Sequence, residues 1–215
     1  MKIGPKYVCF PNGVKTYLVA KPKSLKKAKE VFGKTNFQIT CSGRKYLGGA
    51  LGTEAFQKEF IEAKISDWFW EVVPIPKFAE SQPHAAYAAF THGLVGRWTH
   101  ALRLTTRVPE GALKPLEDAI SHRLIQRLTD QPSPNEHIRQ LLTLPASLGG
   151  LALVHPATIA AQYCSSKRLC EPLIRLIIEQ KGNAQAAQQR HKTIKQGTHS
   201  EHRLDLSAYA KEVIE

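Results

Sequence analysis

The side chains of this sequence with the clearest capacity for chemistry are lysines placed where they could bind phosphate. Residues 1–29 hold eight lysines and no acidic residue, and the first carboxylate belongs to Glu30. Lysines at this density bind phosphates by releasing counterions, so the binding weakens steeply with salt. The formal net charge of +12 over 215 residues favours a nucleic acid or another anionic partner. A basic soluble protein without such a partner is the alternative that charge alone leaves open.

Carboxylates that could hold catalytic metal ions are sparse. The four aspartates are Asp67, Asp118, Asp130 and Asp205, and none of them are adjacent. Glu117 and Asp118 are the one pair of neighbouring acidic residues, but neighbours on a helix point about 100° apart and do not face one metal ion. We interpret that pair as solvated helix surface, and the sequence predicts no metal site.

Histidines and cysteines add no metal or redox pattern. His84, His92 and His100 are spaced by eight residues, and each step rotates by about 80° around a helix, so the three do not share a face. The cysteines are scattered, without the paired spacing of zinc or redox sites: Cys9, Cys41, Cys164 and Cys170. No apolar run approaches the roughly 18 residues of a membrane span, and the N-terminus lacks the apolar core of a signal peptide. We expect an intracellular protein of the nucleus or cytoplasm that is not secreted.

Short strands and one helix must position the N-terminal lysines. Alternation predicts a strand over Lys15–Lys21, and apolar spacing predicts an amphipathic helix over Leu25–Phe32. Phe37–Cys41 and Arg44–Leu47 are typical of strands, and the intervening Ser42-Gly43 predicts a hairpin between them. The glycines that follow are expected to loosen the backbone.

Helical patterns dominate the rest of the chain. The predicted fold class is therefore α+β, with a small strand–helix–strand–strand region followed by a mainly α-helical region. Helices are expected over residues 53–73, 81–102, 112–128, 134–144, 156–169 and 172–180. Ser133 and Glu136 form the pattern of a capping box with Ser133 as the N-cap. Residues 182–203 are rich in Gln, Ala, His and Lys, which predicts a mobile segment or a loose helix. The predicted divisions of the chain are 1–52, 53–181 and 182–215.

Two blocks of the N-terminal region occur in an order and spacing that are found together in one family. Asn12, Lys15 and Thr16 form an Asn-x-x-Lys-Thr turn, and a Tyr-Leu-Gly element follows at Tyr46–Gly48. With the elements between them, these blocks resemble the last two conserved blocks of the palm of reverse transcriptases from non-long-terminal-repeat-like retroelements. Segments 84–93 and 144–151 are also similar to this class, and the resemblance covers about residues 4–180.

The resemblance implies a role for each block. In the family the lysine of the first block, here Lys15, lies near the incoming triphosphate, and the second block forms a hairpin that grips the primer end. The helices that follow would correspond to the thumb, which tracks the template–primer duplex. An intact member is an RNA-directed DNA polymerase that uses Mg²⁺, and the family places the metal-binding aspartates upstream of the position of Met1. We therefore expect a truncated chain that has no cofactor, does not polymerise alone and retains RNA or DNA backbone binding.

Candidates for nucleic-acid contacts come from the matched blocks and from basic positions nearby or on the predicted helices. They are Asn12, Lys15, Thr16, Lys21, Lys45, Tyr46, Leu47, Gly48, Arg97 and Arg103. Tyr46 could stack on a base or sugar, although an aromatic residue in a hairpin is more often part of the core. The same choice applies to Trp68–Trp70, for which helical periodicity favours the core. An independent basic nucleic-acid-binding or scaffold protein, with no polymerase ancestry, is the other function that the sequence leaves open.

Overall fold

The computed structural model describes residues 16–105, 107–178 and 184–214. Within them the fold class is α+β, as predicted, because short strands come first and helices follow. The chain divides into two compact units, of which the first ends at Ala63 and the second begins at Lys64. This division lies inside a long helix, whereas the sequence placed a boundary between residues 52 and 53. Asn12 and Lys15 lie outside the described residues.

The first unit begins with a strand–helix–strand arrangement. Strand β1 (Tyr17–Val19) leads through a 3₁₀ turn at Pro22–Ser24 into helix α1 (Leu25–Phe32), and strand β2 (Gln38–Thr40) follows. The two strands pair in parallel, with Leu18 opposite Ile39. Parallel pairing requires a crossover connection, which α1 supplies.

A hairpin follows, but it is formed by other residues than the sequence suggested. Strand β3 (Gly43–Tyr46) pairs antiparallel with strand β4 (Gly49–Gly52), so the prediction that Phe37–Cys41 and Arg44–Leu47 form the hairpin is wrong. The turn residues Leu47 and Gly48 have φ of 48° and 84°. Positive φ at both central residues matches the twist of the flanking strands, and this makes a two-residue turn favourable.

The glycines of this hairpin tighten its packing and do not loosen the backbone. A Cβ atom on Gly43 would meet the Phe56 ring, and it would also lie 2.7 Å from the Leu51 carbonyl oxygen. The backbone N–H of Thr53 donates to the Ser42 carbonyl oxygen over 2.7 Å and closes the far end of the hairpin. Strand β4 therefore occupies a stretch whose glycine content had suggested irregular chain.

Helix α2 (Glu54–Val72) has the bounds that the sequence predicted, to within one residue. Its buried side chains include Phe60, Ile61 and Trp68. Trp70 is 67% exposed, so the prediction that Trp68–Trp70 belong to the core is right for Trp68 and wrong for Trp70. From Ile61 to Val72 the buried positions of α2 are three or four residues apart, which leaves the residues on the opposite side of the helix in solvent.

Each of the next two predicted helices contains a widened segment. The first comprises α4 (Pro83–Ala88), a π-helical segment at Ala89–Leu94 and α5 (Val95–Leu104), after the short helix α3 (Ile75–Ala79). The second comprises α6 (Lys114–Ala119), a π-helical segment at Ile120–Ile125 and α7 (Gln126–Thr129).

The apolar spacing of these two helices explains their widened segments. Phe90, Leu94, Trp98 and Leu102 recur every four residues, as do Leu116, Ile120, Leu124 and Leu128. Four residues advance by about 400° in an ideal α-helix, so such a stripe drifts by about 40° at each step. A wider turn in the middle of the helix absorbs this drift. Phe90, Trp98, Leu116, Ile120 and Leu124 are accordingly all buried.

Helix α8 (Glu136–Thr143) is capped differently from the prediction. Asn135 is the N-cap, because its side-chain oxygen accepts from the Ile138 backbone N–H over 2.8 Å. The hydroxyl of Ser133 lies instead 2.8 Å from Nδ1 of His122. The expectation that Ser133 caps this helix is therefore wrong.

Two long helices complete the second unit. Helix α9 (Pro156–Ile178) runs through Pro172 without ending, so the predicted division into two helices is wrong. An interior proline costs a helix about 3 kcal/mol, and this cost does not end α9. Helix α10 (Ala184–Ile214) occupies much of the segment expected to be mobile or a loose helix. Its alanines, glutamines, lysines and arginines are favourable in helices, and this offsets its shortage of apolar residues. None of the helices in the described ranges is both long and apolar enough to cross a membrane.

Candidate nucleic-acid interface

The tip of the β3–β4 hairpin presents two large side chains to solvent. Tyr46 is 62% exposed and Leu47 is 74% exposed. Leu47 also has a left-handed backbone, which costs a residue other than glycine about 1–2 kcal/mol. The sequence therefore places an apolar side chain, in an unfavourable conformation, at the most exposed point of the hairpin. Gly48 shares this turn, and so three predicted contact residues lie together.

The two faces of the hairpin differ in their surroundings. On one face the Phe56 ring lies close to Gly43, and the Lys45 ammonium lies over the Phe60 ring, 5.7 Å from its centroid. Successive side chains of a strand point to opposite faces. Arg44 and Tyr46 therefore lie on the other face, away from α2. The predicted contact residue Lys45 is exposed, but it projects from the α2 side.

Arg44 connects this hairpin to β1. Its guanidinium lies over the Tyr17 ring, 3.9 Å from the centroid, and one Nη donates to the Tyr17 hydroxyl over 2.8 Å. Tyr17 directly follows Thr16, the last residue of the first motif block. Neither Arg44 nor Tyr17 was a predicted site residue, because the contact joins positions 27 residues apart. The one sequence signal for it was strand alternation, which puts Arg44 on the face of Tyr46.

Lysines form an exposed cluster on and around α1. We call these the α1 lysines, and all of them are exposed: Lys21, Lys23, Lys26, Lys27, Lys29 and Lys34. Among the residues that the structure describes, none of them forms an ion pair with a carboxylate. Glu30 is the one acidic residue in this stretch. The cluster is therefore a concentrated positive charge whose amines remain hydrated and accessible to phosphates.

Arg97 and Arg103 belong to the second unit, and each already has a partner there. An Nη of Arg97 donates to Oε1 of Glu71 over 2.6 Å. The Arg103 guanidinium lies over the Tyr163 ring, 5.0 Å from its centroid. Both arginines are nevertheless exposed, so they keep N–H groups that could donate hydrogen bonds to a phosphate. They are weaker candidates than the α1 lysines, because Arg97 would have to share or leave a carboxylate.

The carboxylates do not fit a magnesium site of the kind that an intact polymerase of the resembled family would use. In the described ranges, no group of three or more His, Cys, Asp or Glu side chains is arranged to hold a metal ion. Asp67 is bound to the Lys64 ammonium at 3.1 Å. Asp118 lies in α6, and Asp130 directly follows α7. A pair of Mg²⁺ ions needs carboxylates a few ångströms apart on adjoining elements, and this arrangement does not provide them.

A cleft in the second unit has the wrong charge for phosphate. It encloses about 670 Å³ between α8, α9 and α10, and Glu136 and Asp205 line it. Burial raises the pKa of the Tyr209 phenol there, and the nearby carboxylates of Glu136 and Glu212 raise it further. Arg139 also lines this cleft, but its guanidinium is bound to Glu117. We therefore place the candidate nucleic-acid contacts on the hairpin and on the α1 lysines.

Comparison of the chain with protein-family models, with curated proteins and with solved structures found no match. Function is therefore inferred from the residues of the chain itself. The hairpin tip and the α1 lysines are the two features that bear on it most directly.

Proposed function

We propose that this chain contains the end of a reverse-transcriptase-like palm and a thumb-like helical region, and that it binds RNA or DNA backbones without sequence preference. The ordered Asn-x-x-Lys-Thr and Tyr-Leu-Gly blocks support the ancestry. The position of Tyr46–Gly48 at the tip of a hairpin supports it too, since the second block of the resembled family forms a hairpin. Both features belong to the first unit.

The observation that carries the proposal is the conformation of Leu47. A two-residue turn with positive φ at both positions favours Asn-Gly or Gly-Gly. Leucine at the first position is unfavourable for folding, and its side chain is 74% exposed. Leucine has an unfavourable backbone conformation in this turn and exposes an apolar side chain to water. Contact with a ligand would explain why such a residue occurs here, because strained residues are common at binding sites. The ligand that suits Tyr46 beside it is a nucleotide, whose base or sugar can stack on the ring.

The α1 lysines supply the affinity that such a small contact lacks. Lysines close to phosphates bind through counterion release, and this contribution does not depend on the base sequence. Phosphate contacts position a strand but do not specify it. The proposed binding is therefore nonspecific, electrostatic and sensitive to salt.

Polymerisation by this chain alone is not part of the proposal. Its four aspartates are isolated in sequence, and catalysis of nucleotide transfer needs carboxylates that hold two metal ions together. The proposed role is to hold a nucleic-acid strand, as the primer-gripping and thumb regions do in the resembled family.

Replacing Leu47 with asparagine tests the proposal by separating folding from binding. Leu47→Asn should raise the free energy of unfolding by about 0.5–1 kcal/mol, because Asn-Gly suits the turn. The same change should weaken binding of a short single-stranded oligonucleotide about fivefold, because a partly buried leucine contact is lost. Urea unfolding and fluorescence anisotropy give the two quantities.

Leu204→Asn is the matched control. Leu204 lies in α10 and is 70% exposed, so the chemical change and the exposure are alike. This variant should bind the oligonucleotide as the unmodified chain does. Equal binding by both variants and the unmodified chain would show that Leu47 does not contact the strand, and the proposal would lose its main support.

A further inference from the structure

We propose that Arg44, held in place by Tyr17, binds a phosphodiester group, while Tyr46 stacks on the neighbouring nucleotide. This inference rests on the proposed function and assigns a specific phosphate contact to it. Arg44 was not among the candidate residues of either motif block. Its geometry, and not a motif, identifies it.

The Arg44 guanidinium is ordered before any ligand binds. It stacks over the Tyr17 ring at 3.9 Å and donates one hydrogen bond to the Tyr17 hydroxyl over 2.8 Å. An arginine carries five N–H donors, and most of them remain for other acceptors. In the part of the chain that the structure describes, Arg44 has no carboxylate partner. A stacked and oriented guanidinium loses less conformational freedom when it binds a phosphate bidentately.

Spacing along β3 suits successive nucleotides of one strand. Arg44 and Tyr46 lie two residues apart on the same face, which separates them by about 7 Å. That distance is comparable with one nucleotide step of an extended strand. Leu51 pairs with Arg44 across the hairpin and is 54% exposed, so it adds an exposed apolar side chain beside Arg44. A phosphate on Arg44 would therefore place the next sugar and base beside Tyr46.

The identity of the neighbours argues against a purely structural role. If Arg44 only joined β3 to β1, its N–H donors could all be bound by acceptors inside the fold. Arg44 is instead exposed to solvent. Tyr17 offers Arg44 a hydroxyl and a ring but no carboxylate, so this contact leaves the positive charge of Arg44 without a counter-charge. A retained, exposed and oriented positive charge is what binding of a phosphodiester requires.

The test measures the salt dependence of binding to a fluorescent single-stranded oligonucleotide. Arg44→Ala should weaken binding about fivefold to tenfold and lower the slope of log affinity against log salt by about 0.7, the share of one phosphate on a single strand. Arg44→Lys should keep the slope and lose part of the affinity, because a point charge replaces a bidentate fork. Tyr17→Phe should also keep the slope and weaken binding slightly, since it removes only the hydroxyl that orients the guanidinium.

Lys58→Ala is the control for charge in the same unit. Lys58 is 63% exposed and pairs with Glu62 at 3.9 Å, and its loss should leave the slope unchanged. An Arg44→Ala variant with the affinity and slope of Lys58→Ala would overturn this inference but leave the proposed function standing. An Arg44→Ala variant that melts earlier and binds less, yet keeps the slope, would assign Arg44 to folding alone and would also overturn it. If the unmodified chain does not bind the oligonucleotide, both this inference and the proposed function fail.

Discussion

Replacing Arg139 with methionine is expected to lower the free energy of unfolding by about 3–5 kcal/mol. Arg139 is 4% exposed, and its guanidinium forms two hydrogen bonds with the Glu117 carboxylate, of 2.6 Å and 2.9 Å. It also donates to the carbonyl oxygens of Leu153 over 2.6 Å and Val154 over 3.1 Å. The side chain thus joins α6 and α8 to the extended segment before α9.

The expected loss is large because the partners cannot return to water. The Glu117 side chain is only 14% exposed, so its interpretation as solvated helix surface is wrong, and a buried carboxylate without its counter-charge is costly. The two carbonyl oxygens would lose their donors as well, and each buried polar group left without a partner costs about 1–3 kcal/mol. Ser121 would keep one bond, since its hydroxyl donates to Glu117 over 2.5 Å.

Urea unfolding followed by fluorescence measures this loss. The double variant Arg139→Met with Glu117→Leu should be more stable than Arg139→Met alone, because no charge is then left buried. Arg127→Ala is the control, since Arg127 pairs with Glu80 at 3.5 Å with both side chains more than half exposed, and it should cost less than about 1 kcal/mol. A cost for Arg139→Met as small as that for Arg127→Ala would contradict the account of this buried network.

Trp98→Ala is expected to lower the free energy of unfolding by about 3–5 kcal/mol, as other buried aromatic truncations do. Trp98 is 1% exposed, and its ring centroid lies 5.9 Å from that of Trp68 and 5.5 Å from that of Phe90. Removal of the Trp98 ring would leave a cavity between the other two aromatic rings. This cavity cannot close unless two helices move.

Trp70→Ala is the matched control for this loss. Trp70 belongs to α2 and is 67% exposed, so its truncation should change stability by less than about 0.5 kcal/mol. Each single variant keeps two of the three tryptophans, which leaves a fluorescence signal for urea unfolding. Equal costs for Trp98→Ala and Trp70→Ala would show that the aromatic cluster does not stabilise the core.

The helices were largely predictable from the sequence because their signals are local. Apolar spacing gave α2 almost to its ends, and the proline after Leu144 marked the end of α8. The errors in the predicted helices come from the weight given to single residues and to local composition. Pro172 was given too much weight, and the favourable composition of α10 was given too little. Asn135 caps α8 where Ser133 was predicted. Serine and asparagine are about equally favourable as N-caps, so the sequence does not distinguish them.

Contacts between distant residues were not predictable in the same way. The hairpin was assigned to the wrong strand pair, because Ser42-Gly43 is typical of a turn, whereas leucine is unfavourable at the first position of the two-residue turn that forms at Leu47-Gly48. Arg139 gave no signal, since a buried arginine looks like any other helical arginine until Glu117 is placed opposite it. Arg44 and Tyr17 likewise meet only once β1 and β3 are folded.

The most direct test of nucleic-acid binding is a salt titration of the full chain with fluorescent oligonucleotides of unrelated sequence, as single-stranded RNA and single-stranded DNA. We expect affinities of similar size for all of them, and a steep linear fall of log affinity with log salt between about 50 mM and about 200 mM. No binding at low salt, or binding that salt does not weaken, would contradict the central claim. A strong preference for one sequence would contradict it too, because contacts to phosphates alone cannot produce one.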